Sequence, residues 1–356
     1  MNKIIVINPG ATSTKVAYYI DINEVWKDEI LYSEEQISQF PHIFDQLKMR
    51  SEDVLSLITE HGVTKELDIV VGRGGGIGPV KAGAILVDNE LLDRLEKHPV
   101  IEHASNLGAN LAQEVAHHFG KPNTNAYVYD PITVDSMSDV ARLTGIKGVT
   151  RKSIGHHLNM RAVARRAASD IGKNYQEANV IVIHMGGGCS ASAHQDGEII
   201  DFISDDEVMF SAERSGGIAI KSLIPLIKEM GVQKFYQFVR NEAGLYSYFH
   251  TKDLRAIEER VLEGDQEAKL VLEAMALSIS KTIACLAATL EGQVDAVSMT
   301  GGMAHSEFLT KEVKRRTAFI GPFLTYPGEF EMLALAKGGN RVLNHEETAH
   351  RLSEMI

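Results

Sequence analysis

The sequence predicts an α/β chain built from two duplicated domains, and three observations carry that reading. Four apolar, β-rich runs each end in glycine: Ile4–Gly10, Ile69–Gly76, Val180–Gly188 and Val297–Gly302. Continuous Ile/Val runs suit strands buried on both faces of a layered α/β fold. Two of the runs, VINPGATSTKVAYY and VIHMGGGCSASAHQ, share one plan: strand, glycine turn, small hydroxyl residues, strand. They lie about half a chain apart, which is the mark of an internal repeat. The length, 356 residues, suits about two domains.

Composition narrows the function. The chain is 44% hydrophobic and 24% charged, an ordinary globular balance. Its net charge of -12, with no long Lys/Arg run, argues against a nucleic-acid partner. The densest basic cluster, Arg161, Arg165 and Arg166, reads as a solvated helix face. The only cysteines, Cys189 and Cys285, lack metal-ligand spacing and suit reduced thiols in the cytoplasm. Too few apolar residues precede Asn8 for a signal peptide, and no stretch approaches the ~18 apolar residues of a span, so no membrane partner is expected.

In chain order, the first run and its glycine turn lead into a second strand ending near Ile20. Amphipathic spacing predicts helices at Leu91–Leu95, Ala104–Phe119 and Leu158–Ile171. The wide apolar stripe of Glu267–Leu290 predicts a central buried helix, and Met332–Leu343 and Glu346–Met355 close the chain as helices. The domain boundary is expected near Thr150. The first domain then covers 1–150 with about 335–356 packed back on it, and the second covers 151–334.

The glycine turns carry the chemistry. Successive backbone N–H groups in such a turn form an anion-binding nest, and neighbouring hydroxyls add donors. Two matched turns, with TGG at Thr300–Gly302, point to a nucleotide phosphate chain clasped from two sides of a cleft. The Walker pattern and the dinucleotide fingerprint are both absent, since GRGGGIG has the wrong glycine spacing. HEETAH, His345–His350, spaces its histidines five apart, off a common helix face, and is rejected as a zinc site. Phosphoryl transfer needs positive charge about the transferring group. Arg73 at a strand end and Arg214 in a Gly/Ser turn are candidates, as is His156 or His157 before a helix. Asp130 follows a β run.

These pieces, in this order, resemble the acetate and butyrate kinase family of the sugar kinase/Hsp70/actin superfamily over essentially the whole chain. The matching segments include INPGATSTK, VVGRGG, EHASNLGA, YDPITVD, RKSIGHHLN, HMGGGCSASAHQDGEIID, ERSGG, TGGMAHS and YPGEFEMLALAKGGNRVLNHEE. NPG, GRGG and EHASNLGA are the wording of the butyrate kinase branch. The resemblance implies two RNase H-like (actin-like ATPase) domains around an ATP/ADP cleft, in a homodimer or higher homo-oligomer. It also implies reversible, Mg²⁺-assisted phosphoryl transfer to a short-chain carboxylate, with butyrate or a branched relative as acceptor. Asn8, Ser13 and Lys15 then fall on the first phosphate motif, Gly186, Gly187 and Gly188 on the second, and Gly301 and Gly302 on the adenosine motif. Arg214, Asp130 and His156 fall on catalytic positions, with Arg73 beside them through a shifted strand. Glu331, helped by Asp130, falls on the metal position.

The mechanism needs no general base, because a carboxylate with a pKa of about 4–5 is already ionised at neutral pH. The sequence also departs from the family. Ala11 replaces a serine in the first turn, and Gly155 replaces an aromatic residue before the histidine, which would leave room for several methylenes of a longer acid. Those departures keep alternatives open: a nucleotide-binding paralogue without transfer activity, an acetate or propionate kinase, or another enzyme of the superfamily.

Overall fold

The computed structural model describes residues 1–355. The chain forms two compact units, Met1–Asp135 with Phe330–Ile356, and Ser136–Glu329. The division falls at Asp135 rather than near Thr150. The return to the first unit comes at Phe330, so Glu331 belongs to the first unit and not to the span 151–334.

The first unit holds a six-stranded sheet of β1 (Lys3–Pro9), β2 (Ser13–Ile20), β3 (Asn23–Leu31), β4 (Leu67–Arg73), β5 (Ala84–Leu86) and β6 (Gly120–Tyr129). Its order is β3-β2-β1-β4-β6-β5. β1 and β2 form an antiparallel hairpin, while β1–β4 and β4–β6 are parallel. β1 is the sheet's apolar centre, with Ile4, Ile5, Val6 and Ile7 all fully buried. The helix Gly108–Phe119 packs on β4 and β6, and the helix Glu331–Leu343 packs on β1 and β4.

The second unit holds β7 (Val180–Met185), β8 (Cys189–Gln195), β9 (Glu198–Ile203), β10 (Ala296–Gly301) and β11 (Phe323–Pro327). Its order, β9-β8-β7-β10-β11, repeats the first sheet without β5. The strand senses repeat too, with β7–β8 and β8–β9 antiparallel and β7–β10 and β10–β11 parallel. The helix Gln266–Thr289 buries Leu272, Met275, Ile279, Ile283 and Leu286 against this core. By length and composition this helix would pass for a membrane span, contrary to the reading that no stretch comes close. Just over half of that apolar stretch is buried inside the second unit.

Two other expectations change. The segment after Leu343 is not a second terminal helix. His345 takes φ 57°, which breaks the helical path, and only the single turn Leu352–Glu354 follows. The basic cluster is only in part a solvated face, with Arg166 exposed. Arg161 is buried, Arg165 lies 4.7 Å over the Tyr175 ring, and Arg166 lies 4.6 Å over that of Tyr326. The arginine stems and guanidinium planes serve as packing surface for aromatic rings.

Candidate active site

In the first unit, three of the sequence candidates meet at the ends of β1 and β4. Asn8 donates through Nδ2 to Glu331 Oε2 at 2.7 Å and accepts from Arg73 Nη1 at 3.2 Å. Arg73 Nη1 also donates to Glu331 Oε2 at 2.8 Å. All three are largely shielded from solvent, with side chains of Arg73 and Glu331 only 16% and 9% exposed. Charge-assisted bonds in such a setting fix the guanidinium in place. Glu331 Oε1 accepts no hydrogen bond among the described residues. Lys15 lies opposite Asn8 in the hairpin register, and Ser13 closes the turn by accepting from Gly10 N–H at 2.7 Å.

Asp130 follows β6 with φ 40°, a left-handed conformation uncommon outside glycine. It is buried, its Oδ1 accepts from Gly83 N–H at 2.8 Å, and its own N–H donates to Gly83 O at 3.1 Å. Strained backbone of this kind clusters at functional sites. His103 was not singled out in the sequence. It caps the turn Ala104–Leu107, and burial, then the nearby Arg73 charge, holds its imidazole below the usual histidine range.

In the second unit the glycine turn Gly186–Gly188 joins β7 to β8, closed by a Gly186 N–H to Gly188 O bond of 2.8 Å. A Cβ on Gly188 would lie 3.8 Å from His156 and 4.0 Å from Arg214, so the turn, the histidine and the arginine share one locality. Arg214 is 17% exposed and is held on three sides: by Asp205 at 3.0 Å, Glu213 at 3.5 Å and Asn241 at 3.3 Å. Ser211 ties its loop to the turn, donating to Gly187 O at 2.7 Å and accepting from Arg214 N–H at 3.2 Å.

The histidine pair divides as follows. His156 sits at the N-cap of the helix His157–Asp170, with Nδ1 2.9 Å from Ser190 Oγ. His157 is fully buried and stacks on Phe202. His156 stacks on a second imidazole, His184, at 3.9 Å. Asn159 Nδ2 lies 2.9 Å from His184 Nδ1, and His184 Nε2 lies beside Gly186. His184, Asp205 and Glu213 were missed in the sequence, because nothing local distinguishes a strand histidine, or a loop carboxylate that turns back onto an arginine one or nine positions on, from ordinary surface residues. Gly301 ends β10 at φ 88°, where a Cβ would strike Met185 O at 2.3 Å, and Gly302 faces open space.

Gly155 does not leave room for a longer acid. A Cβ there would lie 2.5 Å from the Phe202 ring, which is fully buried. The aromatic ring expected just before His156 is supplied instead by β9.

A repeated sheet order, with a glycine turn between the first two strands of each sheet, defines the class of the molecule: a duplicated actin-like ATPase fold. A profile described as the Acetokinase family matches residues 78–352. The chain is 39% identical to butyrate kinase 1 of Clostridium acetobutylicum over 354 residues, 98% of this chain and 99% of that one. It is 38% identical to a probable butyrate kinase of Enterococcus faecalis, covering 99% of this chain and 98% of the relative. Among solved structures, the acetate kinase of Porphyromonas gingivalis is similar in fold, with a TM-score of 0.78 at 18% identity over 96% of this chain and 100% of that one. A propionate kinase from Francisella tularensis gives 0.75 at 19% identity over 95% and 99%. The chain belongs to the acetokinase family.

Proposed function

We propose that the protein is a short-chain carboxylate kinase, transferring the γ-phosphoryl group of ATP reversibly to butyrate or a closely related acid to give ADP and the acyl phosphate. One observation carries the reading: Arg73 and Arg214 are each shielded, each fixed by a carboxylate, and each set among other candidate phosphate-handling groups. The two curated relatives, both named as butyrate kinases, support the choice of acceptor.

The acceptor carboxylate is the nucleophile and is ionised at neutral pH, so the enzyme's task is to offset repulsion between two anions. Preorganised donors and charges do that at little reorganisation cost. Arg214, aligned by Asp205, and His156, aligned by Ser190, act on the transferring phosphoryl group. Asn8, Ser13, Lys15 and Gly186–Gly188 hold the phosphates, and Gly301 and Gly302 hold the adenosine end. Arg73 neutralises the incoming carboxylate. Asp130 orients groups at the end of β6.

Among the described residues no cluster of three His, Cys, Asp or Glu side chains could hold a metal alone. That suits Mg²⁺, which binds through one or two carboxylates together with substrate phosphates and water. Glu331 fits as its protein ligand through Oε1, and the ion would supply charge neutralisation at the phosphates. The active form is a homodimer or higher homo-oligomer in this reading.

Incubation with ATP, Mg²⁺, hydroxylamine and a panel of acids tests the proposal. Hydroxamate should form fastest with butyrate and its branched relatives and more slowly with acetate. No hydroxamate from any acid overturns the kinase reading, and a clear preference for acetate or propionate overturns the acceptor.

A further inference from the structure

Behind the turn between β1 and β2 lies a buried cation. Arg50, in the first turn of the helix Leu47–Glu60, has no exposed surface. A guanidinium taken out of water is tolerated only where its N–H groups find acceptors. Here Nη1 donates to Gly10 O at 2.9 Å, Ser13 O at 3.0 Å and Thr14 Oγ1 at 3.0 Å. Nη2 donates to Ala11 O at 3.0 Å, and Gln46 Oε1 receives both Nη2 and Nε. The Tyr32 ring lies 4.6 Å from the guanidinium carbon, and Tyr32 N–H donates to Thr12 O at 2.9 Å. The carbonyls of Gly10, Ala11, Thr12 and Ser13 are therefore all satisfied within the protein.

In a trans peptide the N–H points opposite to the C=O of the same unit. Pinning Gly10 O and Ala11 O inward turns the N–H groups of Ala11 and Thr12 outward. Both residues are exposed, and neither N–H has an acceptor among the described residues. Every hydrogen bond of Arg50 goes to a neutral oxygen and none to a carboxylate; Asp53 is the nearby carboxylate and acts on the guanidinium only through space, so part of the Arg50 charge is left to the field at the turn.

We propose that Arg50 is the positioning residue of this anion-binding turn: it holds two peptide N–H donors outward and backs them with buried positive charge, so that the turn takes a phosphate oxyanion. That the phosphate belongs to a nucleoside triphosphate rests on the function proposed above. The side chain acts through the backbone it braces and does not itself touch the ligand.

The test compares wild type with Arg50→Met and Arg50→Lys. Calorimetry gives the affinities for ATP, inorganic triphosphate and adenosine, and thermal melts and amide exchange at Ala11 and Thr12 are followed in parallel. Arg50→Met should weaken ATP and triphosphate by about tenfold or more, as loss of a charge-backed oxyanion donor set implies, and leave adenosine unchanged. Arg50→Lys should recover part of that loss. If Arg50→Met does not fold, Gln46→Leu, which removes the brace on the guanidinium, carries the same comparison. A lower melting temperature with an unaltered ratio of ATP to adenosine affinity shows a merely structural residue and overturns the proposal. Wild type that binds no triphosphate instead overturns the kinase reading, a result distinct from a variant that binds as well as wild type.

Discussion

Arg214 shows how a surface-type residue becomes a rigid one. Asp205, Glu213 and Asn241 fix its guanidinium, and Ser211 couples its loop to the turn Gly186–Gly188. A charge held this way acts mainly where charge develops in the transition state. Arg214→Ala should therefore lower turnover by about a hundredfold or more, the usual scale for losing one preorganised donor. The affinity for ATP, measured by equilibrium binding, should change little. Near-normal turnover would remove Arg214 from the chemistry. The residue types of the candidate site were legible because a glycine turn, an arginine at a strand end and a histidine before a helix each leave a local trace. Their partners were not legible. Glu331 meets Arg73 across 258 positions of sequence. Phe202 fills the space beside Gly155 from β9, so a glycine that reads as a gap is in fact a contact. Arg50 lies in a helix whose pattern gave no hint that it reaches a hairpin turn.

At the scale of elements, the strands with continuous apolar runs were readable and the edge strand was not. β3 is largely exposed and polar, so it lacks both the alternation and the run that mark a strand. β8 carries a buried group with a measurable consequence. His194 is fully buried, with Nδ1 2.8 Å from Tyr175 Oη and Nε2 2.7 Å from Ser192 Oγ. Burial first, then the electrostatic influence of Arg161, His157 and Arg165, pushes its imidazole well below the ordinary histidine range. The unfolded chain binds a proton at about pH 6.5 that the folded chain refuses. The stabilisation is therefore complete above that pH and is lost as pH falls toward the folded value, at no more than about 1.4 kcal/mol per pH unit. Urea midpoints between pH 7.5 and 5.5 should fall in wild type, and His194→Gln should flatten that dependence while lowering stability at pH 7.5 by losing packing. An equal slope in the variant would assign the acid sensitivity to another group.

For the whole molecule, duplication was legible because the strand–turn–strand motif recurs, and the return of the chain's end to the first unit, expected at about 335, comes at Phe330; the first boundary falls at Asp135, ahead of the expected Thr150. The returning helix Glu331–Leu343 completes the first unit by lying close on its sheet. Gly339 makes that approach possible: a Cβ there would lie 2.8 Å from Val71 Cγ2 and 3.4 Å from Ile69 Cγ2. Gly338 does the same against the Tyr129 ring, with a Cβ 2.7 Å away. The second unit, by contrast, is continuous in sequence and keeps its own core around the helix Gln266–Thr289. Gly339→Val should overpack the first unit alone and cost about 1–3 kcal/mol, the usual penalty for forcing methyl groups into a filled core. Amide exchange resolves the effect by unit. Protection should drop in β1 and β4 and hold in β7 and β10, and the lost register should also loosen the Asn8–Arg73–Glu331 cluster that the helix anchors through its first residue. Equal loss of protection in both sheets would mean that the two units open as one cooperative block, and the assignment of this helix to a separately stable unit would be wrong.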